Sequence, residues 1–490
     1  MKLRNWQSEC IDSALSLYRE SNSFLVLGTP GAGKTVMASS LGKTLYDKGE
    51  IDLVLCFSPS SIVAQDFSAA LSEQFSAHFD GTLGAMGNSY TYQGLSTLSD
   101  NIWRLFDRYR VFAIFDEIHH CAGSHSQDAN AWGATIIQKI KNKATYTIAL
   151  TGTPWRSDSL PIVLADYCNE SGQIQCDYIY GLKEAIRDKV CRVPQVVALD
   201  NDNITVVEGS ESSYFNSFSE LFSQSIISYS EIVTSDLVIE QLLKRSNDKL
   251  DELRLINSNA GGLIVASSIL HARQIQLILK QTLSESALVV TSNEDDPNGM
   301  IKHYRYSDSK WIISVGMISE GTNIPRLQVC CYLSNVKTEM YYRQVLGRIL
   351  RFTDAVNQEA YFFMPAEPNL IEYAYRVAQD IPSSLPTIKF SQMTEELTVQ
   401  EDYQGTELSA IDDTPLFDTI KVRDDKTDNG TKSIATPLDT DNTAAPIQNE
   451  RVMGLLGRFK QETLAIDGFG HLSISKQSLD KLTHYGVTAF

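Results

Sequence analysis

The chain has 490 residues, 43% of them hydrophobic, enough for two or three domains with sizeable cores and too much for wholesale disorder. Its formal net charge of −18 excludes a generally basic nucleic-acid coat protein, though not a motor with a local positive groove. The eight cysteines (10, 56, 121, 168, 176, 191, 330 and 331) form no CxxC pair, which argues against a disulfide framework or a zinc ribbon.

The opening stretch, MKLRNWQSECIDSAL, lacks the apolar run and small-residue cleavage site of a signal peptide. No apolar run approaches the ~18–20 residues needed to span a bilayer, so a soluble, cytoplasmic chain without a membrane partner is expected. Short apolar runs then recur, each leading through a turn into a helical pattern: FLVLGTPGAGKT (24–35), DLVLCFSPS (52–60), VFAIFDE (111–117) and YTIALTGTP (146–154). Strands alternating with helices predict a parallel sheet buried on both faces. The pattern restarts with GGLIVASS (261–268), ALVVTS (287–292), KWIISVGM (310–317) and QVCCYLS (328–334), and MYYRQVLGRILRF (340–352) has a helical period.

The expected architecture is α/β, with two α/β domains at 1–158 and 257–370 and a mostly helical connector at 159–256. From about residue 371 to 450 an acidic flexible linker is expected, on the strength of segments such as DDKTDNGTK. Residues 451–490 regain apolar content, and RVMGLLGRFKQETL and SKQSLDKLTHYG read as short helices. No repeat of solenoid period is present.

GTPGAGKT, Gly28 to Thr35, fits G-x-x-x-x-G-K-[ST] after a buried strand and at the start of a helix. In that context the backbone of Gly28, Thr29, Gly31, Ala32 and Gly33 would wrap phosphates. Lys34 would reach the outer phosphates and Thr35 would place a hydroxyl on Mg²⁺. The strand VFAIFDE then supplies Asp116 as a direct or second-shell Mg²⁺ partner and Glu117 to orient or deprotonate the attacking water. ATP and Mg²⁺ are therefore the expected cofactors. A zinc site at His119, His120 and Cys121 is disfavoured, because adjacent histidines point apart and Cys121 has no CxxC partner.

With these residues in place, the chain resembles superfamily 2 helicases. It looks most like the DExH group that holds the motor subunits of type III restriction enzymes and phage recombination helicases. LRNWQ (3–7) resembles the adenine-reading segment, with Gln7 in the key position. SPSSIVAQ (58–65) and YTYQGLS (90–96) resemble strand-binding motifs, DEIHH stands where DEAH variants occur, and TGTPWRSD (151–158) resembles the coupling motif. GGLIVASSILHARQI (261–275), SVGMISEGTNIPRL (314–327) and YYRQVLGRILR (341–351) resemble the fourth, fifth and sixth motifs.

The resemblance covers about residues 1–370 and implies two tandem RecA-like domains. It implies that Arg348 and Arg351, three apart on one helix face, neutralise the γ-phosphoryl group, that Gln344 positions water, and that Glu320, Gly321 and Asn323 line the same cleft. Asn323 stands where the family often has Asp, and keeps a hydrogen bond without the charge. Nucleic-acid contacts are implied for Ser58, Gln93, Gly94, Trp155, Arg156, Ser267 and Thr322, with Trp155 equally suited to the core. His119, Thr151 and Thr153 would couple the two sites. YIYGLKEAIRDKVCRVPQVV (178–197) resembles the restriction-type segment that leaves the first lobe.

No PD…ExK or HD nuclease pair is evident, so the resemblance implies a motor without its own nuclease. Its substrate would be a nucleic acid, DNA rather than RNA by resemblance alone, in repair, recombination, restriction or phage defence. The other reading is a nucleotide-switched scaffold or motor subunit of a larger defence or restriction complex without processive unwinding. The slightly basic C-terminal segment (Arg451, Arg458, Lys460, Lys476 and Lys481) would either dock a partner protein or DNA end, or fold back on the motor.

Overall fold

The computed structural model describes residues 2–123, 129–154, 156, 160–168, 174–208, 210–224, 227–316, 318, 322–377, 451–455 and 458–466. In the first lobe, β1 (Ser23–Gly28), β2 (Leu53–Ser58), β3 (Gly87–Thr91), β4 (Val111–Phe115) and β5 (Tyr146–Thr151) lie parallel. A short hairpin follows, β6 (Asp166–Tyr167) and β7 (Ile174–Gln175), and then β8 (Tyr178–Tyr180) joins the same sheet, giving the order β3-β2-β4-β5-β1-β8. The strand cores FLVL, LVLCF and VFAIF are nearly continuous apolar runs because helices cover both faces. The helix Asn5–Leu17 packs on the helix Lys34–Asp47 and buries Trp6, which stacks on Tyr180 at 4.6 Å.

The second lobe is built on β9 (Val193–Asn201), β12 (Gly261–Ala266), β13 (Ala287–Val290), β14 (Trp311–Ser314), β15 (Leu327–Leu333) and β16 (Glu359–Pro365), with β10 (Ile204–Glu208) and β11 (Glu211–Phe215) forming a hairpin beside it. Near the C-terminus, β17 (Arg451–Leu455) and β18 (Phe459–Thr463) return to this lobe. The main sheet has the order β13-β14-β12-β15-β16-β9-β18, parallel except for the antiparallel edge strand β18, while β17 adds to the β10–β11 hairpin. The long helix Asp236–Ile256 lies across β15 and β16 and buries Val238, Ile239, Leu242, Leu243, Leu250 and Leu253 at helical spacing. Its Asn247 accepts a hydrogen bond from the Trp311 indole at 3.0 Å.

The 159–256 connector is not mostly helical. Its YIY and VPQVVALDN runs are strands, β8 in the first sheet and β9 in the second, and its helices are the short Leu182–Arg187 and those of its later part. Val193, Val196, Val197 and Leu199 are all buried, so pairing with β16, more than 150 residues downstream, decides their conformation. The lobes are thus joined by the few residues between the helix Leu182–Arg187 and β9.

The expected helix RVMGLLGRFKQETL is likewise replaced by β17 and β18. Two glycines, each costing a helix about 1 kcal/mol, and two free strand edges on the second lobe favour pairing over a helix. The second expected C-terminal helix, SKQSLDKLTHYG, lies outside the described residues. So does residue 378 to 450 of the linker, whose expected first residues belong instead to the helix Pro368–Arg376. No helix among the described residues is long and apolar enough to cross a membrane.

Leu455, Leu464 and Ile466 are buried by this return, each contributing about 1.5–3 kcal/mol at most. A chain ending at residue 450 should therefore unfold at least ~5 °C lower in a thermal melt and aggregate through its bared strand edges. An unchanged melt would show the return to be dispensable.

Candidate active site

The residues expected to bind phosphate and those expected to hydrolyse it meet at the carboxyl ends of the first-lobe strands, where open parallel sheets place their ligands. The loop after β1 turns tightly through Gly31 and Gly33, at φ +84° and +96°, conformations that residues with a Cβ rarely adopt. The helix Lys34–Asp47 begins directly after it. Gln7 lies buried beneath the loop. Its amide nitrogen donates to the Gly33 carbonyl at 2.9 Å and its oxygen accepts from the Arg4 main chain at 2.8 Å. The Arg4 guanidinium holds the Ala32 carbonyl at 2.6 Å, a contact between residues 28 apart that no local pattern signals. Gln7 thus supports the loop, whatever it does toward a base.

Because β5 lies between β1 and β4 in the sheet, the TGT turn sits in the middle of the site. Lys34 Nζ donates to the Gly28 carbonyl at 2.9 Å and pairs with Glu117 Oε1 at 3.3 Å. The Gly152 amide donates to Glu117 Oε2 at 3.1 Å. Glu117 has φ +48° and ψ +53°, a left-handed conformation that costs a non-glycine residue about 1 kcal/mol or more. Three groups of opposite or complementary charge hold it there: Lys34, the Gly152 amide and His119, whose Nδ1 is 3.5 Å from Oε2. Asp116 is buried at the end of β4, and its main-chain carbonyl accepts from the Tyr92 hydroxyl at 2.7 Å. Thr35, at the second position of the helix, is half-buried.

His119 is 2% exposed and joins the lobes. Its Nδ1 is 3.0 Å from Thr151 Oγ1 and 3.4 Å from Thr153 Oγ1, and its Nε2 is 3.5 Å from Gln344 Nε2 of the second lobe. With Thr151 Oγ1 donating to the Thr153 carbonyl, the chain fits a tautomer protonated on Nδ1. His120 is half-buried, with its carbonyl held by Asn130. Burial pushes the Cys121 thiol well above its ordinary range.

The sixth-motif segment approaches the phosphate loop closely. A Cβ on Gly347 would lie 2.5 Å from Pro30 Cβ, so only glycine lets this helix come so near. The helix, Glu339–Ile349, is shorter than the sequence period suggested. Arg351 lies beyond its end, in a bridge with Cys191, because Arg192 takes the last carbonyls. Arg348 and Arg351 therefore do not share a helix face. They converge instead on Thr322, whose carbonyl accepts from Arg348 at 2.9 Å and Arg351 at 3.4 Å, and Arg351 also holds the Asn323 side chain. A Cβ on Gly31 would touch Arg351 at 3.4 Å. Desolvation by burial, and after it the nearby Arg348, lowers the Arg351 pKa to about 9. The Arg351 Nε and the Thr322 hydroxyl are buried without hydrogen-bond partners among the described residues.

The residues expected to touch nucleic acid are less assembled. Ser58 is fully buried, with its carbonyl accepting from the Tyr92 amide at 2.8 Å, and Thr322 is 1% exposed, so neither faces solvent. Ser58 ends a core strand and Thr322 caps the arginine pair, which is why both point inward. Arg156 is turned onto the His119 carbonyl. Gln93 is exposed, Gly94 is half-buried with its amide donating to Thr91 Oγ1 at 3.2 Å, and Ser267 is half-buried against His271. Trp155, Glu320 and Gly321 lie outside the described residues.

Comparisons with known proteins agree with this geometry. Residues 1–156 match the family described as type III restriction enzyme, res subunit. An uncharacterized protein of Mycobacterium tuberculosis is 28% identical over 386 residues, covering 76% of this chain and 62% of its own length. A Mycobacterium leprae counterpart is 28% identical and covered over 63% of its length, so the chain spans about three fifths of these relatives. A fragment described as the HsdR subunit of a type I restriction enzyme from Vibrio vulnificus has the same fold, with a TM-score of 0.53 at 15% identity, over 78% of this chain and 67% of that one. The fold is α/β, two tandem RecA-like lobes, shared with that restriction-enzyme fragment over most of this chain. Its first lobe is the part that matches the restriction-enzyme family.

Gly347→Ala gives a direct test of the close approach. The added methyl group should push the lobes apart at Pro30, lowering ATP turnover at least ~10-fold while leaving the melting temperature nearly unchanged. Turnover within twofold of the parent would contradict this packing.

Proposed function

We propose that this protein is an ATP-dependent nucleic-acid motor, a helicase or translocase that acts on DNA. The observation that carries the reading is the meeting of Lys34, Glu117 and the Gly152 amide with Arg351 from the other lobe around one turn of glycine-rich loop. In this reading the Gly28–Thr35 backbone wraps the phosphates of ATP and Lys34 leaves Glu117 for the outer phosphates. The site suits a Mg²⁺–nucleotide: the loop is a glycine cradle, and buried Arg351 Nε and Thr322 Oγ1 are without partners beside it. Thr35 and Asp116 would hold the ion, which screens phosphate charge. Glu117 orients and deprotonates the attacking water, with Gln344 beside it. Arg348 and Arg351 neutralise the leaving phosphoryl charge.

His119, Thr151 and Thr153 relay the change between lobes, and Gln93, Gly94 and Ser267 are the contacts best exposed to a strand. DNA repair, recombination, restriction or phage defence would use such a motor. The burial of Ser58 and Thr322 favours a second reading, a nucleotide-switched scaffold that does not grip a strand.

ATPase assays with single-stranded DNA, duplex DNA and RNA separate the two. The motor reading expects DNA to raise the rate at least ~10-fold, and a rate indifferent to all three nucleic acids would favour the scaffold. Lys34→Ala and Arg351→Ala should each lower turnover ~10²-fold or more. Near-parental hydrolysis by either would overturn the site assignment.

A further inference from the structure

Arg192 lies in the short crossing between the lobes, within the 178–197 segment, where the sequence motifs assign it no role. It is 0% exposed, and among the described residues no carboxylate pairs with it. Its guanidinium donates instead to three neutral acceptors: the Leu327 carbonyl at 2.6 Å, the Ile349 carbonyl at 3.3 Å and Thr353 Oγ1 at 2.9 Å. Its main-chain amide donates to the Leu350 carbonyl at 2.7 Å, and its Nε has no partner. Burial lowers its pKa to about 10. A buried charge so poorly compensated is costly for folding. What it obtains is placement. Its acceptors lie on both sides of Arg351, at residues 349, 350 and 353, and the fourth anchors the group to the start of β15.

The neighbouring residues extend the clamp. Cys191 bridges to the Arg351 main chain, and its Sγ lies 3.6 Å from the Pro30 carbonyl at the apex of the phosphate loop. Two residues before it, Lys189 has φ +57°, a strained conformation at the crossing itself. The crossing is thus fastened at once to the phosphate loop and to the segment that carries Arg351.

We infer that Arg192 is a positioning residue for Arg351: by taking the terminal carbonyls of the Glu339–Ile349 helix and the Thr353 hydroxyl, it ends that helix and sets Arg351 against the phosphate loop. The inference rests on the proposed role of Arg351 at the transferring phosphoryl group. Helix ends leave four carbonyls unsatisfied and favour a cation there. The planar guanidinium fork can reach acceptors from three segments, and a lysine ammonium cannot span them.

The test uses the full chain with Arg192→Met, Arg192→Lys, Arg351→Ala and the Arg192→Met/Arg351→Ala pair. Methionine fills similar volume without the buried charge, so folding should survive with a melting temperature close to the parent's. Turnover at saturating ATP should fall at least ~10-fold in both Arg192 variants, while affinity for a fluorescent N-methylanthraniloyl ATP stays within ~threefold. The double variant should be no slower than Arg351→Ala alone, because both changes remove one function. Turnover within twofold of the parent in Arg192→Met, or effects that multiply in the double variant, would overturn the inference. Loss of folding in both Arg192 variants would also overturn it, by making Arg192 a structural residue. Parental turnover in Arg351→Ala would show instead that the reading of Arg351 is wrong, and the inference would fall with it.

Discussion

The site depends on how tightly Pro30 is enclosed. Its ring lies 3.2 Å from where Gly152 would carry a Cβ and 2.5 Å from where Gly347 would, and its carbonyl faces the Cys191 thiol. These three neighbours come from the turn after β5, from the second lobe and from the crossing between lobes. Proline suits the apex because its φ is fixed and it has no amide that would need a partner. Small residues on both sides let the second lobe reach the phosphate loop. A bulkier residue at Gly347 would press on Pro30 and move the segment that carries Arg351 away from the loop.

Electrostatics act on the same geometry. The chain carries a net charge of −18, yet the cleft gathers Lys34, Arg348 and Arg351, with Arg192 just behind them. Glu117 is the counterweight, held in a left-handed conformation by Lys34, the Gly152 amide and His119. In a site shielded from water these interactions are stronger than at the surface, and an anion entering the loop would compete with Glu117 for Lys34. Strain at Glu117 and crowding of cations are then two sides of one arrangement, poised to exchange a carboxylate for a phosphate.

The phosphate loop, the Asp-Glu strand end and the strands of both sheets were legible because each is written in contiguous residues: a glycine pattern, an apolar run, a β-rich segment. Features that depend on distant partners were not. Nothing in VPQVVALDN announces that β16 will pair with it, and nothing in RVMGLLGRF announces the waiting edges of β9 and β10. The need for glycine at 347 exists only because Pro30 is across the cleft. Arg351 followed a helical period in the sequence, yet Arg192 ends that helix before reaching it. Ser58 occupies a motif position and is nonetheless turned into the core. Local pattern picked out the candidate residues, and the contacts between lobes decided which of them face one another.

In the proposed motor, hydrolysis runs through a contact between the lobes, and the His119–Gln344 pair is its most direct probe. Steady-state ATP turnover should be measured for His119→Ala, Gln344→Ala and the double variant, all under saturating ATP and DNA. If the contact acts as one unit, the double variant will be about as slow as the slower single variant. Rate losses that multiply in the double variant would mean that the two residues act independently and that the lobes do not share the step.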